Sequence, residues 1–120
     1  DNVLFTYPYE LPSVYYPRVF RVRQWMHSRN IDIPYPRLQY QTYYALTMVQ
    51  YGLDEILEDY YRDYLVEAIE HEAESHLDNG THPALALGPG QRFASKGAYV
   101  VKIDAGAQGG IRAVSDWIVP

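Results

Sequence analysis

An apolar periodicity of the helical kind runs almost unbroken through residues 41–76, and it limits what this chain can fold into more than any other feature. Tyr43, Leu46, Val49 and Leu53 recur at three- and four-residue steps, and Ala45 and Met48 widen the face they mark. The helix they define begins near Gln39 or Gln41. Gly52 is a mild fault in it, costing about 1 kcal/mol relative to Ala. A further stripe follows in Ile56, Tyr60, Tyr64, Leu65, Ala68 and Ile69, set against a row of carboxylates from Glu55 to Glu74. The pattern predicts two helices with a break near 57–60. Asn79-Gly80 stops the second, because both residues tolerate positive φ.

The flanks read differently. Val3 to Tyr7 is rich in strand formers, and Pro8 and Pro12 then make residues 8–17 an irregular, tyrosine-studded connector. Val19, Phe20, Val22, Trp25 and Met26 predict a helix over 18–29, with Pro17 at its first turn. Ile31 to Pro36 is a proline-stiffened linker. Pro83 to Gly90 is a Gly/Pro loop, Ala98 to Ile103 a strand, Gly106 to Gly110 a loose turn, and Ile111 to Val114 a returning strand with an apolar tail at Trp117. The expected fold is therefore one α/β domain over 1–120, with three helices packed on a small sheet that ends in a C-terminal β-hairpin.

Composition excludes several functions. A net charge of −5 supplies no basic surplus to displace counterions from a nucleic-acid backbone. The absence of cysteine removes disulfides, thiolate metal sites and a thiol nucleophile. No apolar run has the roughly 18–20 residues a membrane span needs. The chain opens at Asp1 with no Met, which makes it an expected mature form or a piece of something longer.

Candidate chemistry is sparse. Glu67, Glu70, His71, Glu72, Glu74 and His76 crowd one helix, with His82 just beyond. The zinc-protease pattern needs two histidines four apart, whereas His71 and His76 are five apart and diverge by about 140° on an ideal helix. A solvated charged face is the plainer reading, and a metal hydrolase on His71, Glu72 and His76 is the third functional alternative. Gly88-Pro89-Gly90-Gln91-Arg92 lacks the ending of a phosphate loop. No catalytic set, resident metal or cofactor is expected. The stronger signal is tyrosine: twelve of its 13 copies lie between Tyr7 and Tyr64. Such rings can fill a core with hydroxyls at the rim, stack on a ligand, or form a contact surface. Tyr7, Tyr9, Tyr15, Tyr16, Tyr35 and Tyr40 are the candidate interface residues.

The order of these segments resembles that of type I periplasmic solute-binding proteins, nearest to the branched-chain amino-acid receptors of ABC importers. Gln41 to Leu53 resembles a lobe helix of that family opened by an aromatic run. Phe20 to Asn30 followed by Ile33-Pro34 is similar to the helix that ends in a proline loop. Tyr64 to Ile69, then Leu87 to Phe93, resemble the short helix and Gly-Pro turn, and Gly97 to Lys102 resembles the closing strand before the hairpin and Trp117. The resemblance covers the family's C-terminal part only. It implies a periplasmic location and non-catalytic capture of an amino-acid-like or other small organic solute between two lobes. Tyr43 and Tyr44, at the head of the helix, become candidate ligand-binding residues. The alternative function is an accessory or docking subunit of a larger assembly, using tyrosine-rich segments 7–16 and 35–44.

Overall fold

The computed structural model describes residues 3–58, 60–76, 80–88, 90–91 and 93–120, without the side chains of residues 74–76. Its elements run β1 (Leu4–Tyr7), α1 (Pro12–Arg18), α2 (Phe20–Ser28), α3 (Pro36–Ile56), α4 (Arg62–His76), β2 (Tyr99–Ile103) and β3 (Ile111–Ala113). The architecture is mixed α/β, with four helices and a three-stranded antiparallel sheet in the order β1-β2-β3. Leu4 pairs with Lys102 and Tyr7 with Tyr99; Val101 pairs with Ala113 on the other side. A bridge from Ala98 to Ile118 extends the hairpin towards the C-terminus. Gly97 is required there, because a Cβ on it would lie 2.4 Å from the Trp117 indole.

The helix α1 occupies part of what reads in sequence as an irregular connector. Pro12 stands at its start, where the missing N–H would have had no partner within the helix, and Pro17 falls in its last turn. Pro12 therefore starts a helix where the sequence pattern suggests a break, and Pro17, expected at the first turn of the helix over 18–29, instead belongs to the end of α1 while α2 begins at Phe20. Likewise α3 starts at Pro36, several residues before the expected Gln39 or Gln41. The break between α3 and α4 falls where expected, and Leu57 turns the chain there with φ 51°. Asn79 lies outside the described residues, so the Asn79-Gly80 stop is visible only at Gly80, which has φ 64°.

The main apolar core sits among α1, α2 and α3. Val19, Val22, Met26 and Tyr40 are buried, with Tyr15, Trp25, Ile33, Tyr43 and Tyr44 packed around them. On α3 the buried ridge is Tyr40, Met48, Gly52 and Ile56, spaced in multiples of four. The expected face of Leu46, Val49 and Leu53 is instead exposed at 65%, 42% and 41%. Gly52 explains this rotation. A Cβ there would come within 2.6 Å of Ile69 Cγ1, so the residue read as a fault is what lets α4 approach. Ala68 and Ala73 are the small buried residues on the α4 side.

Sheet and helices meet at a polar seam. The buried carboxylate of Glu10 accepts from the Arg18 guanidinium, from Leu11 N–H at 2.9 Å and from the Tyr99 hydroxyl at 3.4 Å. Glu10 N–H donates to the Thr81 carbonyl at 2.9 Å, and Arg18 reaches the His82 carbonyl at 3.4 Å. Glu10, through its carboxylate, its backbone N–H and its partner Arg18, thus ties α1, β2 and the loop at 80–82 together. A buried charge is tolerated only when its lone pairs are occupied in this way.

Candidate functional site

A groove of about 540 Å³ opens between α1, α2, the loop after α2 and the first turns of α3. The local sequence builds it directly. At the end of α2, Asn30 takes φ 54° and Ile31 N–H returns to the Met26 carbonyl at 3.0 Å, which reverses the chain. Ile31 to Ile33 then run back along the groove, with Ile33 packed on the core. Gln39 holds the far end of this loop. Its Nε2 donates to the Asp32 carbonyl at 2.7 Å, and its Oε1 accepts from Tyr35 N–H at 3.0 Å.

Tyr15, Tyr16 and Tyr40 supply the aromatic walls, Val19, Ile31, Ile33 and Pro36 the aliphatic ones, and Arg23, His27 and Asp32 the charged or ionisable groups. The Tyr15 and Tyr40 ring centroids are 6.3 Å apart, and Tyr15 meets Tyr16 edge-on at 5.5 Å. Tyr40 is 3% exposed, yet no buried side-chain polar atom among the described residues lacks a partner. Among those residues no hydrogen bond engages the Tyr40 hydroxyl, so it keeps its access to solvent on the groove side. Burial, and then the neighbouring Tyr40, push the Tyr15 hydroxyl up to about 12. Burial also raises Tyr40, and the positive charge of Arg23 opposes that rise. Arg23 forms no ion pair among the described residues; its guanidinium lies 5.8 Å from the Phe20 ring centre.

The candidate tyrosines divide into three places. Tyr15, Tyr16 and Tyr40 share the groove. Tyr7 and Tyr9 pair edge-on at 5.7 Å on the neighbouring surface, where Arg37 lies 3.9 Å over the Tyr9 ring and also reaches the Tyr7 hydroxyl at 3.3 Å. His82 sits beside Tyr9 at 5.5 Å; burial, and then Arg37, hold its pKa below the ordinary histidine value. Tyr35 is exposed at the start of α3.

Tyr43 and Tyr44 are not brought to the groove. Tyr43 packs on Trp25 at 4.9 Å and Tyr44 stands edge-on to Tyr43 at 5.4 Å, both half-buried against the core. Sequence reasoning missed Arg23 and the returning loop. Charge distribution was the available signal for Arg23: residues 11–53 hold five of the ten basic side chains and one of the fifteen acidic ones.

On α4, His71 Nδ1 lies 3.9 Å from Glu72 Oε1 and the histidine is largely exposed. The His76 side chain lies outside the described residues. Among the described residues no group of three or more His, Cys, Asp or Glu converges as metal ligands. No helix among them is long and apolar enough to cross a membrane. Comparison of the chain with protein-family models, curated proteins and solved structures finds no match.

Proposed function

We propose that this chain is a non-catalytic solute-binding element, the C-terminal portion of a two-lobed periplasmic receptor of the ABC-importer kind. The groove carries this reading. It offers a concave surface of ligand size with mixed polar and apolar lining, where among the described residues Arg23 has no ion pair and the Tyr40 hydroxyl no hydrogen bond. Segment order supports it too, since helix, Gly-Pro turn, closing strand and hairpin follow in the sequence that resembles the family. Capture would be reversible, with no bond made or broken.

The relevant measurement is isothermal titration with amino acids, amides and small organic acids. One-site binding that weakens when Tyr40→Ala opens the groove floor is the expected result. Absence of heat with every solute sinks the reading. A second reading, docking within a larger assembly, draws on a separate observation: Leu38, Leu46, Val49 and Leu53 lie bare along α3.

A further inference from the structure

We infer that the groove between α1, α2 and α3 selects a small aromatic monocarboxylate, with Arg23 receiving the carboxylate, the rings of Tyr15 and Tyr16 flanking its flat body and the Tyr40 hydroxyl at the groove floor. This rests on the solute-binding reading and names the class of solute.

Three independent observations converge on it. The first is charge. Residues 11–53, which supply every lining residue, carry a net +4, against −9 for the rest of the chain. The segment that builds the concavity is thus basic within an acidic chain, and of its five arginines Arg23 is the one that lines the groove. The second is the state of Arg23. Arg18 is committed to Glu10, and Arg29 and Arg37 lie over the Trp25 and Tyr9 rings at 4.5 and 3.9 Å. Arg23 lines the groove with its guanidinium at the longer distance of 5.8 Å from the Phe20 ring centre and with no carboxylate partner among the described residues. A guanidinium presents a planar fork of donors that fits a carboxylate in two-point fashion. The third is the wall chemistry. The rings of Tyr15 and Tyr16 with Ile31, Ile33 and Pro36 favour a ring-bearing solute, because aromatic pairs prefer offset or edge-to-face contact.

The remaining charged groups of the groove do not cancel this arrangement. Asp32 is its one carboxylate, and it lies exposed on the returning loop. His27 is exposed at the end of α2 and can only add positive charge.

The test titrates the full chain at neutral pH and low salt with phenylacetate, phenylacetamide and acetate, and repeats it on Arg23→Gln. Phenylacetate is expected to bind at one site at least tenfold more tightly than the amide, and acetate not measurably. Arg23→Gln should weaken phenylacetate tenfold or more and leave the amide unchanged. Equal binding of acid and amide by the wild type overturns the inference without needing any variant. So does equal binding of acetate, or indifference of phenylacetate to Arg23→Gln. If amino acids or other amides still bind in those cases, the receptor reading stands and only the solute class is lost. If no solute binds at all, both fall together.

Discussion

Tyr15 belongs to the core and to the groove at once, and its hydroxyl reports on both. Burial and the neighbouring Tyr40 make its anion costly, so its pKa in the folded chain is about 12 against an ordinary 10. The sign of the consequence follows from linkage. Below pH 10 the hydroxyl is protonated in folded and unfolded chains alike, and its contribution to stability is intact. Between pH 10 and 12 the unfolded chain loses this proton while the folded chain keeps it, so stability falls as pH rises. Tyr40 and Tyr99 are raised as well, in each case first by burial, and add to the same alkaline slope. Denaturant midpoints measured from pH 9 to 12 are expected to decline, and Tyr15→Phe to make that decline shallower. An unchanged slope in Tyr15→Phe would show that the ring is not shielded as the packing implies.

At the scale of the element, α3 decides most of the helical architecture, and the face it buries is the point to test. Met48 is 7% exposed and Leu46 65% exposed, although both are large apolar residues two positions apart. Met48→Ala is expected to cost about 2–3 kcal/mol, the lower part of the range for truncating a buried methionine. Leu46→Ala should change stability by less than about 0.5 kcal/mol, as at other exposed positions. Chemical denaturation of the two variants checks the order, and a larger loss at Leu46 would mean that the helix is rotated from its place here.

The same helix shows what was legible beforehand. Its existence, the break after it and the C-terminal hairpin follow from periodicity and from Gly and Pro placement. Its buried face does not, because apolar residues lie on both sides of α3: Tyr43, Leu46, Val49 and Leu53 mark as good a stripe as Tyr40, Met48 and Ile56. The α3–α4 contact at Gly52 and Ile69, together with the seating of Tyr40 among Val19, Val22 and Met26, chooses between them, and these contacts are invisible to a one-dimensional pattern. The candidate site was legible in part for the same reason. Tyrosine density pointed to Tyr15, Tyr16 and Tyr40, whereas Arg23 enters only when the φ of Asn30 turns the chain back and closes the groove.

The whole molecule is flat and open for its mass. Its extents are 58 × 39 × 19 Å and its radius of gyration is 16.7 Å, where a compact chain of this length has about 13.6 Å. Accessible surface is 8493 Å², roughly 1,800 Å² more than a compact monomer of the same mass exposes. A standard interface takes about 800 Å² from each partner, so the surplus is large enough for an extensive permanent contact. Much of it is apolar, and the stripe of Leu46, Val49 and Leu53 belongs to a helix segment, 38–53, that contains no charged residue. A second lobe, or a docking partner, would remove that stripe from water; the chain by itself leaves it bare. The isolated chain is therefore expected to enhance the fluorescence of an apolar dye and to elute earlier from size-exclusion as concentration rises. Replacing Leu46, Val49 and Leu53 by Glu should abolish both effects and leave the helical circular dichroism intact, since none of the three contributes to the buried ridge. Dye binding that persists in the triple variant would place the adhesive surface elsewhere, on the exposed Leu4, Phe5 and Ile103 of the sheet. Loss of helical signal would show instead that this face is packed in solution, and the surplus area would no longer measure a contact waiting to be made.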